Sequence, residues 1–121
     1  MLNRQNPIDT RPLVGVYSTC GSKRDRRAVE LLSMFCLING LHCIFYLDKK
    51  VAQDEHPPAW DRLCQDIAEG KFQAGLTWLD TPDMEQWCAE RGVKWVQVDV
   101  FGWFQAMRTS NKDMVRFSKP Y

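Results

Sequence analysis

Apolar residues in this chain follow two patterns that alternate. Four short runs, "LVGVY" (13–17), "HCIFYLD" (42–48), "FQAGLTWL" (72–79) and "VKWVQV" (93–98), are rich in β-branched and aromatic residues and read as strands. Between them, apolar positions recur every three or four residues, the period of a helix face. From Arg24 to Asn39 the stripe is Ala28, Leu31, Leu32, Phe35 and Ile38, and Asn39-Gly40 stops it with residues that tolerate a left-handed backbone. Val29, Met34 and Leu37 lie off that stripe, a width that suggests burial on a second side, as against a partner chain. Pro57 or Pro58 opens the next helix, where a missing N–H costs nothing; its stripe is Leu63, Cys64, Ile67 and Ala68, and Gly70 ends it. The third helix has Thr81 as N-cap, Pro82 at its first position, and Asp83 and Glu85 near its positive end. Met84, Trp87 and Cys88 face inward and Gly92 stops it.

The order β-α-β-α-β-α-β predicts a three-layer α/β/α domain with a four-stranded, mostly parallel sheet. The domain is expected over residues 13–108, where "VFGWFQAMR" (100–108) adds a short helix. Residues 1–12, with two prolines and little apolar content, read as an N-terminal arm, "KKVAQDEHPP" as a polar loop, and 109–121 as a basic C-terminal tail.

Composition narrows the class. With 45% hydrophobic and 26% charged residues, the chain suits one globular domain. At 121 residues it needs no disulfide or metal to hold a core. Cys20, Cys36, Cys43, Cys64 and Cys88 are odd in number and irregularly spaced, there is no CxxC, and His42 and His56 stand alone. Most of the cysteines therefore read as small buried hydrophobes, with no metal or cofactor expected. No apolar run approaches the ~20 residues of a membrane span, and the start lacks a secretory signal's apolar stretch. A cytoplasmic protein is expected. The net charge of +1 hides a gradient: residues 1–27 carry six Lys/Arg and two Asp (+4), 28–104 six Lys/Arg and twelve acids (−6), and 105–121 four Lys/Arg and one Asp (+3). Basic ends on an acidic body permit a phosphate-bearing partner near the termini.

In open parallel sheets, ligands sit beyond the carboxyl ends of the strands. Tyr17 to Ser22, Asp48 and Asp80 all follow strands directly and fall on one rim. Two carboxylates there suit either a Mg²⁺ site or helix caps and loop acceptors. Ser22, Lys23, Arg24, Arg26 and Arg27, at a helix start, suit phosphate or nucleic-acid contact. Phe101, Trp103 and Phe104, followed by Arg108, Lys112, Arg116 and Lys119, suit either base stacking or cover for the last strand.

From about Leu13 to Asp99 the chain resembles the catalytic domain of the serine recombinases, the resolvase/invertase family. The family's first strand ends in Tyr-x-Arg-x-Ser, and Tyr17 of "YSTCG" matches its tyrosine. "LLSMFCLINGLHCIFYLDKK" is similar to the family's long helix ending near "NG" and its strand ending in Asp, with Asp48 at the acid position. "WDRLCQDIAEGKFQAGLTWLDTPD" and "CAERGVKWVQVD" continue the match. The reactive groups do not follow. The nucleophilic serine falls on Gly21, the arginine two residues before it on Thr19, and the paired Asp-Arg on Asp80-Thr81. The second arginine of that segment has no counterpart, and an arginine before the second helix falls near Pro57.

Forming a phosphoserine link to DNA needs a hydroxyl nucleophile and guanidinium groups around the phosphorus. The resemblance thus implies a resolvase-like domain without that reaction, with Tyr17, Thr19, Gly21, Asp48 and Asp80 a vestigial rim. Such a domain would serve as a binding or regulatory module. Its partner would be another protein, a second copy through Val29, Met34 and Leu37, or nucleic acid held weakly through the basic ends. A mobile element or phage origin, related to DNA recombination, fits the resemblance. The alternative is a small phosphate-ester or nucleotide-processing enzyme that uses the Cys20-Gly21-Ser22 turn.

Overall fold

The computed structural model describes residues 10–49 and 57–118, with only the backbone given for 110–118. The arm through Asp9, loop residues 50–56 with His56, and residues 119–121 lie outside the described residues. Strands β1 (Leu13–Thr19), β2 (His42–Asp48), β3 (Ala74–Thr77) and β4 (Lys94–Gln97) alternate with helices α1 (Lys23–Ile38), α2 (Pro58–Ala68) and α3 (Pro82–Ala89). Helix α4 (Val100–Ser118) follows. The sheet order is β2-β1-β3-β4 and every pairing is parallel. This is the expected three-layer α/β/α architecture, with a sheet parallel throughout.

Alternation along the strands divides the core in two. Val14 and Val16 of β1 join Leu76, Val98 and Val100 under Ala28, Leu31, Leu32 and Cys36 of α1. Tyr17, Tyr46 and Trp95 point the other way, onto Ala59, Leu63 and Ile67 of α2 and Met84 and Cys88 of α3. Gly15 and Gly75 face each other in register at the centre of this second side. A Cβ on Gly15 would run into the Phe72 ring, and one on Gly75 into the Trp95 ring. The two glycines therefore form a trough in which large rings lie flat on the sheet.

Several elements differ from expectation. β1 runs two residues beyond Tyr17, to Thr19, whereas β3 and β4 are each shorter than their apolar runs. On α1 the inward position is Cys36, while Ile38 is 57% exposed. The second side of α1 is covered within the chain, because α4 packs on it: the Phe35 and Trp103 rings meet edge to face at 5.3 Å, and Phe101 and Phe104 join the same core. Of the three residues assigned to a partner face, Val29 and Met34 are half-buried and Leu37 is 70% exposed. The helix expected to end at Arg108 continues to Ser118, so residues 109–118, expected as tail, are helical. Thr81 precedes Pro82 as expected but makes no side-chain cap; its hydroxyl instead accepts the indole N–H of Trp95 at 2.8 Å.

Candidate functional site

The strand order reverses between β1 and β3, and there the βα loops diverge to leave a crevice, the usual ligand position in such sheets. An open cleft of about 510 Å³ lies at this point, lined by Tyr17 and Thr19 from the end of β1, Pro57 and Trp60 at the start of α2, and Leu79, Asp80 and Thr81 after β3. The sequence-predicted rim is thus brought together in part. Tyr17, Thr19 and Asp80 line one cleft, whereas Gly21 and Asp48 do not.

Asp48 is buried behind the cleft, 3% exposed. Its Oδ1 accepts the backbone N–H of Ala59 at 2.9 Å, and its Oδ2 accepts that of Trp60 at 3.1 Å and the Tyr17 hydroxyl at 2.8 Å. Pro57, at the N-cap position of α2, offers no side-chain acceptor, so the last residue of β2 satisfies the helix's orphan donors instead. The negative carboxylate also sits at the positive end of α2. Of the two readings of this acid, the structure favours the helix cap over the metal ligand. Among the described residues, no cluster of three or more His, Cys, Asp or Glu could hold a metal ion. Burial, followed by the hydrogen bond and negative charge of Asp48, drives the Tyr17 hydroxyl far above its ordinary pKa. It is a structural donor, in edge-to-face contact with Trp60 at 4.7 Å.

The loop after β1 turns onto the end of β2. The Cys20 N–H donates to the Asp48 carbonyl at 2.8 Å. One residue on, a Cβ at Gly21 would collide with the backbone carbonyl oxygen of Lys49. The Gly21 N–H donates to Asp25 Oδ2 at 3.2 Å, and the Asp25 N–H donates to Ser22 Oγ at 3.0 Å. Ser22 is thus the N-cap of α1, with Asp25 reaching back over the turn, a reciprocal capping arrangement. The Cys20-Gly21-Ser22 turn therefore starts a helix, and its hydroxyl is engaged by the backbone.

The basic residues expected nearby separate. Arg24 lies over the rings of Phe101 at 4.1 Å and Trp78 at 5.7 Å. Arg27 lies over Phe104 at 5.0 Å and pairs with Glu30 at 3.1 Å, and Arg108 meets the same Phe104 ring from α4 at 5.8 Å. Trp78 is anchored by its indole N–H, which donates to Ser18 Oγ at 2.8 Å. Lys23 and Arg26 are exposed on the first turns of α1. Sequence reasoning missed this row of guanidinium groups on aromatic faces. The basic and aromatic sets were visible separately, but the α1–α4 packing that joins them was not.

Among solved structures, the chain is similar to the C-terminal catalytic domain of ISC1926 TnpA, an IS607-like serine recombinase, with a TM-score of 0.59 and 14% identity over 71% of this chain and 68% of that one. The fold is accordingly that of a resolvase-like catalytic domain. No protein-family model matches the chain, and no curated protein matches it. Among the described residues, no helix is long and apolar enough to cross a membrane.

Proposed function

We propose that this chain is a resolvase-like domain that binds without cutting, a module that engages nucleic acid and does not form a phosphoserine link. One observation carries the reading. At Gly21, where the resemblance puts the nucleophile, no side chain is present and the space for one is taken by the Lys49 carbonyl. Thr19, at a phosphate-clamping position, brings no charge to the cleft. The binding half of the proposal rests on Arg24, Arg27 and Arg108, spread over Trp78, Phe101 and Phe104, with exposed Lys23 and Arg26 beside them. Guanidinium planes held on rings are oriented for phosphate contact at little further entropic cost.

Two assays test it. Incubation with supercoiled plasmid, quenched in detergent, should yield neither nicks nor protein joined covalently to DNA; a covalent adduct would refute the reading. In gel shifts across salt concentrations, Arg24→Ala with Arg27→Ala should lower the slope of log affinity against log salt by about 1–2, since each lost phosphate contact removes roughly 0.9. A slope unchanged by both substitutions would remove this face from the interface. Leu37 and Ile38, 70% and 57% exposed, favour self-association as a second reading. A Leu37→Glu variant that elutes unchanged from a column on which the parent elutes as a monomer at high concentration would exclude it.

A further inference from the structure

The cleft at the sheet's rim has a chemical character independent of whether DNA is cut. Its volume, about 510 Å³, lies within the range of small-molecule sites. Pro57, Trp60 and Leu79 give it an apolar wall, and among the described residues Asp80 is the only charged side chain lining it. The Tyr17 hydroxyl is spent on Asp48, and the Thr81 hydroxyl accepts from Trp95. A recess of about 80 Å³ adjoins the cleft, shares Asp80 and Thr81 with it, and adds Glu85 and Gln97. Among the described residues, neither cavity is lined by a lysine, arginine or histidine. A bipartite site results: an apolar chamber walled by an indole, opening onto a small recess with two carboxylates.

We propose that this cleft binds a small ligand composed of an aromatic ring and a cationic amine, with the ring beside Trp60 and Leu79 and the ammonium between Asp80 and Glu85. The charge balance decides against an anion. The positive end of α3 faces the recess, but a helix terminus carries only about half a charge. Asp80, Asp83 and Glu85 place three full negative charges around that terminus. An ammonium between Asp80 and Glu85 gains from them, whereas for a phosphate or carboxylate their repulsion outweighs the half charge of the helix terminus.

The test titrates ¹⁵N-labelled protein with phenethylamine, 2-phenylethanol and phenylacetate, which share a ring and differ in charge. The indole N–H resonance of Trp60 is assigned by its loss in Trp60→Phe. Phenethylamine should shift that resonance and the Thr81 amide saturably, with a dissociation constant on the order of 1 mM, as expected for so small a ligand. Phenylacetate should bind about tenfold more weakly, because two solvent-facing charge contacts are each worth up to about fivefold. Asp80→Asn, a change at an exposed residue that leaves the core intact, should bring the amine to within about twofold of the alcohol. Equal binding of amine and acid by the parent, shifts that bypass Trp60, or no saturable shift with the amine would each overturn the assignment. A covalent DNA adduct would refute the binding-module reading and leave this titration unaffected.

Discussion

Removing the Asp48 carboxylate should destabilise the domain by an amount that its contacts allow to be worked out. Asp48→Ala takes the cap from α2, where Pro57 cannot replace it; an N-cap acceptor is worth about 0.5–2 kcal/mol. It also leaves the Tyr17 hydroxyl buried without its acceptor, a further cost of about 1–3 kcal/mol. The sum, about 1.5–5 kcal/mol, is a large part of the 5–15 kcal/mol typical of a domain, and the fold should survive it. Asp48→Asn keeps one acceptor oxygen but turns an NH₂ toward a donor, so its cost should be smaller, about 1–3 kcal/mol. Tyr17→Phe should cost about 1–2 kcal/mol in the parent and clearly less beside Asp48→Ala, because the orphaned hydroxyl is then gone. Urea denaturation followed by tryptophan fluorescence and by circular dichroism measures the parent and all four variants. If Asp48→Ala stays within about 0.5 kcal/mol of the parent, the range of ordinary surface changes, then the capping role is wrong. So is the coupling if the two single effects simply add.

Gly21→Ser should cost about 1–3 kcal/mol in the same denaturation experiment, since the new Cβ must displace the Lys49 carbonyl, and should still give no covalent DNA adduct; unaltered stability would mean that the loop yields freely. Gly75→Ala should cost at least as much, because the added methyl meets the Trp95 ring over the centre of the sheet; a neutral result would contradict the trough formed by the two glycines. Alkali should destabilise the fold. Burial pushes the Cys36 thiol up to about 12 and the Cys88 thiol to about 11, and burial raises Tyr17 and Tyr46 further. The folded state therefore holds these protons more tightly than the unfolded chain, so their stabilisation is complete below the ordinary thiol value of 9.0 and is lost as pH rises toward 12. A urea midpoint that rises above pH 9.0 would show the opposite linkage.

Much of the frame was legible because it depends on patterns with a fixed period. The four strands, their parallel order of alternation with helices, and the inward residues Leu31, Leu32, Leu63, Met84 and Cys88 follow from apolar spacing alone. Ile38 was misplaced because an apolar residue in the last turn of a helix can point outward at little cost. The length of α4 was not legible, since "TSNKDMVRFS" combines β-branched and polar residues with no clean stripe. The Asp48 side chain could be recognised as an acceptor but not assigned its donors, which lie eleven and twelve residues of sequence beyond it and in β1. Thr81 misled for a related reason: a hydroxyl at an N-cap position serves whichever donor is buried nearest, and here that is the Trp95 indole.

The rim is shaped at the level of the backbone as well as of side chains. The Cys20 N–H is bonded to the Asp48 carbonyl, and the next residue, Gly21, packs against the Lys49 carbonyl. The loop after β1 is thus fastened along the end of β2, at the place where a nucleophile would need room. Asp48 joins both sides, since its side chain holds α2 and Tyr17 while its main chain holds this loop. Placing a hydroxyl-bearing side chain at residue 21 therefore requires the loop to move away from β2, at the expense of contacts next to a buried capping residue. Tyr17 and Asp48 have reasons to be present that do not involve catalysis, namely the docking of α2 on the sheet. A resolvase-like frame can then remain well packed while the described residues lining its cleft, Trp60, Leu79 and Asp80 among them, present apolar and acidic surface.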